Sequence, residues 1–138
     1  MLIVPRRRPV SGYLLDTNVT LVALTEPARL TPRVRRAIKT GPNVLSVIVY
    51  WEVVLKAIKG ALAIDHPQTW WPDELDQLAA TALAFRPDHV STVQTLSPIH
   101  KDPFDRALIA QAVVEQLTLL TTDREIPRYR SDQLQVIT

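Results

Sequence analysis

The sequence predicts an α/β fold in which helices cover both faces of a mostly parallel sheet. Short apolar segments bounded by turn residues alternate along the chain with longer segments whose apolar residues recur at helical spacing. This alternation is typical of parallel strands joined by helices. The 138 residues contain no internal repeat or low-complexity tract. A chain of this length can bury a hydrophobic core without the help of disulfide bonds or structural metal ions. We therefore expect one domain at residues 11–138, preceded by a basic extension at residues 1–10.

The first third of the chain predicts two strands and two helices. GYLLD predicts a strand that ends at Asp16, and TNVTLVALTE predicts a helix capped by Thr17 or Asn18. TPRVRRAIKTG is a clearer helix, because Thr31 suits its N-cap, a proline occupies its first turn and a glycine follows its end. NVLSV predicts the second strand.

A third helix is predicted from about residue 48 to residue 59. Ile48, Trp51, Leu55 and Ile58 recur there at helical spacing, although the valines between them are also typical of a strand. Farther along, PDELDQLAATA predicts a helix that begins at Pro72, and ALAF a short strand.

The C-terminal part predicts two more helices and two more strands. PDHVSTVQTL predicts a short helix that begins at Pro87, and DPFDRALIAQAVVEQL gives the strongest helical pattern in the chain. TLLTTD predicts a strand that stops at Asp123, REIPRY a short stub broken by Pro127, and QLQVIT a final strand.

Charge is unevenly distributed, although the net charge is only +2. Residues 1–40 carry eight basic side chains against two acidic ones, whereas the remainder carries eight against twelve. One face is thus suited to attract a phosphate backbone while another gathers carboxylates. A solvated helix face and a loose N-terminal arm would account for the same asymmetry.

Composition excludes several classes of protein. The chain has no cysteine, which rules out disulfides, thiolate metal sites and a cysteine nucleophile. The longest nearly uncharged segment is interrupted by Glu52 and Lys56, too soon for a bilayer-spanning helix of about 20 apolar residues. The N-terminal charges follow the apolar residues, the reverse of a secretory signal. We therefore expect a cytoplasmic protein without a membrane segment.

Two aspartates follow predicted strands. Asp16 ends the first strand and Asp123 ends a later one. In a parallel sheet these ends lie at the same edge, where ligands of such folds bind. Helix capping is the alternative for each, because DTN and TTD are also good cap sequences.

Glu52 stands alone in an apolar segment. It is the only charged residue between Val44 and Leu55. A carboxylate on a buried surface is costly unless it is paired or binds a metal. The alternative is a helix that turns this one residue to water.

The segment DPFD contains two more acids. Asp102 suits an N-cap, Pro103 the first helical position and Asp105 the third, which together resemble a capping box. Aspartate reaches the cap amide less well than the usual glutamate, so Asp105 is the better candidate for a ligand.

Several carboxylates without cysteine favour a hard cation such as Mg²⁺ or Mn²⁺. The histidines have no zinc-site spacing and are interpreted as structural or surface residues: His66, His89 and His100. The chain lacks a phosphate-binding glycine loop, a serine nucleophile elbow and a dinucleotide-binding fingerprint.

Four segments in order resemble the motifs of PIN-domain ribonucleases: YLLDTN, SVIVYWEVVLKAIKGAL, LSPIHKDPFDRALIAQA and LLTTD. Within that family the chain is most similar to the VapC toxins of bacterial toxin–antitoxin systems. The resemblance runs from about Tyr13 to the C-terminus. It implies a three-layer α/β/α sandwich whose acidic pocket binds Mg²⁺ or Mn²⁺ and hydrolyses RNA. The family's four acids correspond to Asp16, Glu52, Asp105 and Asp123.

The resemblance also implies supporting residues and partners. Thr17 and Asn18 match positions that orient the first carboxylate, and Asp102 is interpreted as a cap or outer support. From their charge, and not from the resemblance, Arg106 and, farther off, the cluster Arg6–Arg8 are expected to hold the RNA backbone. The family assigns no role to that cluster. A small antitoxin and a second copy of the chain are the implied partners. Residues 1–11 and the segment HPQTWWPDELDQ carry no family signature.

Two other functions remain compatible with these residues. A non-catalytic PIN-like module that binds RNA or a partner predicts a missing acid, and none of the four is missing. An aspartate-based phosphotransfer domain also places aspartates at strand ends. The dehalogenase type of that domain expects an acid where this chain has Asn18, and the receiver type expects a later lysine than the last one, Lys101.

Overall fold

The computed structural model describes residues 12–138, so the extension predicted at residues 1–10 lies outside the described residues. Residues 12–138 contain five strands in one sheet of order β3-β2-β1-β4-β5. Every neighbouring pair of strands in that sheet is parallel. The strands are β1 (Tyr13–Leu15), β2 (Asn43–Ser46), β3 (Ala80–Leu83), β4 (Thr118–Leu120) and β5 (Val136–Ile137).

Helices cover the sheet and complete the predicted α/β/α sandwich. Two short 3₁₀ segments, Pro27–Arg29 and Ile126–Tyr129, join the longer elements. No helix between residues 12 and 138 has the length and apolarity needed to cross a bilayer. The α-helices in this range are α1 (Thr17–Thr25), α2 (Pro32–Thr40), α3 (Val47–Ile58), α4 (Pro67–Gln77), α5 (Pro87–Val93) and α6 (Pro103–Glu115).

The centre of the sheet determines where a ligand can bind. β1 leads to β2 on one side, whereas the chain later returns to β4 on the other side of β1. Such a reversal of strand order opens a crevice at the carboxyl ends of the strands. The register pairs Leu15 with Leu120, both fully buried, so the next residues, Asp16 and Thr121, lie side by side at this edge.

The start of α1 differs from the prediction. Its N-cap is Asp16, whose Oδ1 accepts the Val19 amide N–H at 2.8 Å, and not Thr17 or Asn18. Capping and a role in the site were alternatives for Asp16 in the sequence, yet a carboxylate has two oxygens. One oxygen caps the helix while the other remains for a further partner.

The buried face of α3 is rotated from the one suggested by the apolar spacing. Ile48, Val49 and Val53 are buried, whereas Trp51 is 55% exposed and Ile58 is 75% exposed. Val49 and Val53, two of the valines that made the helical pattern resemble a strand, are therefore core residues. Because successive residues of a helix are about 100° apart, the rotation places Glu52 at the border of the buried face rather than in solvent.

Helix α4 begins five residues earlier than predicted. Pro67 occupies its first turn, and Pro72, expected to open the helix, lies inside it. An internal proline costs about 3 kcal/mol. Trp70 and Trp71 stack on Tyr50 of α3, with ring centroids 6.2 and 5.0 Å away, and this packing offsets that cost.

The end of α4 also differs from the prediction. The helix stops at Gln77, before the predicted AATA segment, and Ala79 has a left-handed backbone with φ 48°. Ala80 to Leu83 then pair with β2, so β3 begins two residues before the predicted ALAF strand.

Gly12→Ala is expected to lower the melting temperature more than Gly60→Ala. A Cβ at Gly12 would lie 2.7 Å from the Pro42 carbonyl oxygen, which accepts the Tyr13 N–H beside β1. Gly60 also has a positive φ, +76°, but nothing within 4 Å of a Cβ. It therefore controls for left-handed strain of about 1–2 kcal/mol. Equal losses in thermal melts of the two variants would contradict the steric argument.

Candidate active site

A cleft of about 250 Å³ opens at the carboxyl edge of the sheet. It brings together the four acids predicted to form the site and most of the predicted supporting residues. The described residues that line it are Asp16, Thr17, Asn18, Glu52, Lys56, Asp102, Asp105, Thr122 and Asp123.

Asp16 is the deepest acid of the cleft and only 3% exposed. Its Oδ1 caps α1, and its Oδ2 accepts a hydrogen bond from the Thr121 hydroxyl at 2.5 Å. Burial raises the pKa of Asp16 to about 6, although the two hydrogen bonds oppose that shift. The charges of Asp123 and Glu52 raise it further. The carboxylates of the cleft therefore repel one another without a bound cation.

Glu52 lies at the border of the buried face of α3 and turns its carboxylate into the cleft. The Thr17 hydroxyl donates to Glu52 Oε1 at 2.6 Å, and Lys56 Nζ lies 3.5 Å from Oε2. The side chain is only 15% exposed, so the solvated-helix alternative does not describe it.

The hydroxyl and amide groups expected to orient the first carboxylate have other partners. Thr17 donates to Glu52, and Asn18 Nδ2 donates to the Thr122 hydroxyl at 2.6 Å. Thr121, which sequence reasoning missed, is the side chain that bonds to Asp16. The available signal was its place directly after a strand that pairs with β1.

Asp102 caps α6, as predicted, by accepting the Phe104 amide N–H at 2.8 Å. The reciprocal half of the capping box does not form, because the Asp102 amide N–H donates to His100 Nδ1 at 3.2 Å. Asp105 is therefore free to face the cleft. Burial raises its pKa to about 7, and the charge of Asp102 adds to this shift, whereas His100 opposes it.

His100 contradicts the interpretation of the histidines as structural or surface residues. Its Nε2 lies 2.9 Å from Asp105 Oδ2 and 3.1 Å from Asp123 Oδ2. Burial alone would lower the pKa of His100, but the bond to Asp123 and the neighbouring acids raise it. The other two follow the prediction, since His66 is exposed and His89 is buried in the core.

The hydrogen bond at Nδ1 fixes the role of the His100 ring. Because Nδ1 accepts the Asp102 N–H, the proton of the neutral ring is on Nε2. That N–H is donated to the carboxylates of Asp105 and Asp123. His100 therefore joins the two acids, and its place two residues before the cap was the only signal of this role in the residue spacing.

Asp123 follows β4 on a loop, because the strand ends at Leu120 rather than at Asp123 as predicted. Its Oδ1 accepts the amide N–H groups of Glu125 at 2.6 Å and Ile126 at 3.3 Å. Burial alone would raise the pKa of Asp123, but the Glu125 amide and the His100 ring lower it overall. Asp123 is thus a fixed anion beside two acids that hold their protons more tightly.

Arg106 does not face the cleft, contrary to the expectation that it holds RNA. Its guanidinium donates to the Tyr129 hydroxyl and to loop carbonyls. These donations tie the α5–α6 loop, which carries His100, to α6. The carbonyl acceptors belong to Val93, Leu96, Ser97 and His100.

The donor set fits a hard divalent cation. Carboxylate oxygens of Asp105 and Asp123 lie within 4.8 Å of each other, and Asp16 and Glu52 line the same cleft. Carboxylate oxygens are the ligands that Mg²⁺ and Mn²⁺ accept. Burial raises the pKa values of Asp16 and Asp105 and the neighbouring acids add to the shift, so a bound cation would favour their ionised forms.

The comparisons with known proteins agree with the fold. The family model described as PIN domain matches residues 13–131. No curated protein sequence matches the chain significantly.

Three solved structures share the fold. A VapBC2 complex from Rickettsia felis bound to a promoter DNA fragment is 17% identical, with a TM-score of 0.64. A toxin–antitoxin complex from Klebsiella pneumoniae is 21% identical, with a TM-score of 0.61. In both cases 91% of this chain and 96% of the other chain are covered. VapBC-5 from Mycobacterium tuberculosis is 19% identical, with a TM-score of 0.58 and coverage of 94% and 98%. Because the family model spans nearly all of the described residues, the chain belongs to the PIN-domain family.

Proposed function

We propose that the chain is a divalent-cation-dependent endoribonuclease and the toxin of a toxin–antitoxin pair. The observation that carries this proposal is the convergence of Asp16, Glu52, Asp105 and Asp123 on one cleft of a PIN fold. The likeness to solved toxin–antitoxin complexes supports the second half of the proposal.

The four acids would hold Mg²⁺ or Mn²⁺, which lowers the pKa of a bound water and stabilises charge on a phosphodiester. The protein's own contribution is to preorganise the ligands. Thr121 fixes Asp16 and Thr17 fixes Glu52, while the His100 N–H spans Asp105 and Asp123. Such partners keep carboxylates in one orientation and maintain metal affinity.

A phosphotransfer domain is a weaker account of the same residues. The dehalogenase type of that domain needs a second acid where this chain has Asn18, and the receiver type needs a lysine later than Lys101. Asp16 itself is only 3% exposed. A non-catalytic binding module would have no need of four converging acids, whose mutual repulsion destabilises the fold.

A small antitoxin that covers the cleft is the proposed regulatory partner, and a second copy of the chain the proposed partner in a homodimer. The solved neighbours are toxin–antitoxin complexes, which supports the first of these. An antitoxin that blocks the site has to neutralise its acids, so we expect it to insert a basic side chain there.

Cleavage of RNA tests the catalytic half of the proposal. We expect the purified chain to cut a mixed RNA pool in Mn²⁺, to lose that activity in EDTA and to regain it when excess Mn²⁺ is added. Asp16→Asn, purified in the same way, should be inactive, whereas Asp132→Asn, at an exposed turn, should remain active. Equal cleavage with and without EDTA, or by Asp16→Asn, would refute the metal-dependent site.

Growth of bacteria tests the toxin half. Induced expression of the chain is expected to arrest growth, and Asp16→Asn expressed to the same level should not. Continued growth with the active chain, despite cleavage in vitro, would show that the nuclease is not a toxin of that host.

A further inference from the structure

We propose that Lys56 binds the RNA phosphate backbone at the mouth of the acidic cleft and is a substrate-binding residue of the enzyme. The inference rests on the proposed nuclease function. It assigns the phosphate contact to a residue that the sequence did not single out.

The first observation in support is the position of Lys56. It lies one helical turn after Glu52 on α3, and among the described residues that line the cleft it is the one with a basic side chain. Its side chain remains 40% exposed, so the ammonium is in contact with both the cleft and solvent.

Orienting Glu52 is not a sufficient role for Lys56. Thr17 already holds the Glu52 carboxylate with a hydrogen bond of 2.6 Å. Lys56 Nζ lies 3.5 Å from Glu52 Oε2, whereas charge-assisted hydrogen bonds are about 2.7–2.9 Å long. At this separation the two groups attract each other without a close hydrogen bond. The N–H donors of Lys56 are therefore available to another anion.

The charge of the cleft gives the functional reason. Five of its described lining residues are acidic: Asp16, Glu52, Asp102, Asp105 and Asp123. A polyanion approaching them is repelled except where a cation offsets the acids. The guanidinium of Arg106, expected from the sequence to provide this contact, is bonded to loop carbonyls instead. Lys56 is the cation that the described lining of the cleft offers to a phosphate.

Lys56→Met tests the inference, because methionine keeps the length and apolar stem of lysine while removing its charge. We expect kcat/KM for cleavage of a fluorescent single-stranded RNA to fall about tenfold, the effect of one charged hydrogen bond. The slope of log kcat/KM against log salt should become shallower by about 0.7, the value for one phosphate contact on a single strand. Lys56→Arg should restore most of both.

Lys59→Met is the matched control, since Lys59 is an exposed lysine at the end of the same helix and does not line the cleft. Its salt slope is expected to equal that of the unmodified chain. If Lys59→Met and Lys56→Met change the salt slope equally, the change comes from the lower net charge of the protein and not from a contact of Lys56. The inference then fails. An unchanged slope in Lys56→Met overturns it directly.

Calorimetric titration of Mn²⁺ without RNA distinguishes two roles of Lys56, contact with RNA and positioning of Glu52. Removing a positive charge beside the acids should leave Mn²⁺ affinity equal or higher in Lys56→Met. Weaker Mn²⁺ binding together with an unchanged salt slope would assign Lys56 to positioning Glu52 and overturn the inference. If the unmodified chain does not cut RNA at all, the proposed function fails, and the inference fails with it.

Discussion

Asp105→Asn is expected to abolish RNA cleavage, whereas Asp102→Asn should retain most of it. Both residues belong to the DPFD segment, yet their contacts differ. Asp102 caps α6 through the Phe104 N–H, and asparagine is an equally good cap. Asp105 makes no capping bond and turns to the cleft beside His100. Loss of its charge should reduce kcat/KM more than about a hundredfold, beyond the usual effect of an outer-sphere partner.

The two variants form their own control, because each replaces one aspartate at the start of the same helix. Their kcat/KM values should be measured in saturating Mn²⁺, together with thermal melts that establish folding. Equal loss of activity in two folded variants would show that Asp102 also binds the cation and that the division between cap and ligand is wrong.

The second large effect concerns stability without a cation. In EDTA the unmodified chain is expected to lose stability as pH rises from about 5 to 8. The pKa of Asp16 is raised from 3.8 to about 6, and that of Asp105 from 3.8 to about 7. The folded state therefore holds both protons to higher pH than the unfolded chain does. This contribution to stability is complete below about pH 3.8 and is lost as pH rises through the two raised pKa values.

Two other titrating groups of the cleft, His100 and Asp123, also bear on how stability changes between pH 5 and pH 8. The raised pKa of His100 adds to the loss, because its proton also stabilises the folded state and leaves as pH rises. The lowered pKa of Asp123 has little influence above pH 5, because that group is ionised in both states there. The slope of stability with pH should therefore be negative.

Asp105→Asn should remove much of this slope. At pH 8 in EDTA we expect the variant to exceed the parent by on the order of 2 kcal/mol, less than the full shift because the side chain is partly solvated. Near pH 4 the two should converge. Asp132→Asn, an exposed aspartate in a turn, should follow the parent at every pH. Parallel curves for Asp105→Asn and the parent, from chemical unfolding at each pH, would contradict the buried-acid account.

The four acids were predictable from the sequence because their positions depend on regular structure. Asp16 follows a short apolar strand, and Asp123 lies three residues beyond another, so parallel pairing brings them to one edge. Glu52 was marked by its apolar neighbours. Even so, the apolar spacing gave the wrong face of α3, because Val49 and Val53 are buried while Trp51 is exposed.

The partners of these acids were not predictable, because they depend on loop and side-chain geometry. His100 reaches Asp105 and Asp123 from a loop that Arg106 and the Tyr129 hydroxyl hold through its backbone groups. No residue spacing records that arrangement. Lys56 was visible as a charge that interrupts an apolar segment, but its place in the cleft required the orientation of α3.

Calorimetric titration of Mn²⁺ into the unmodified chain and Asp105→Asn tests the central claim most directly. We expect one saturable Mn²⁺-binding event in the parent, with an affinity that increases between pH 6 and pH 8. Its heat should depend on the ionisation enthalpy of the buffer, because the cation displaces protons held by Asp16 and Asp105. Asp105→Asn should lose most of the affinity, and Asp132→Asn none. Binding of equal strength in the parent and Asp105→Asn, or binding independent of pH, would mean that the cation does not bind at the four acids.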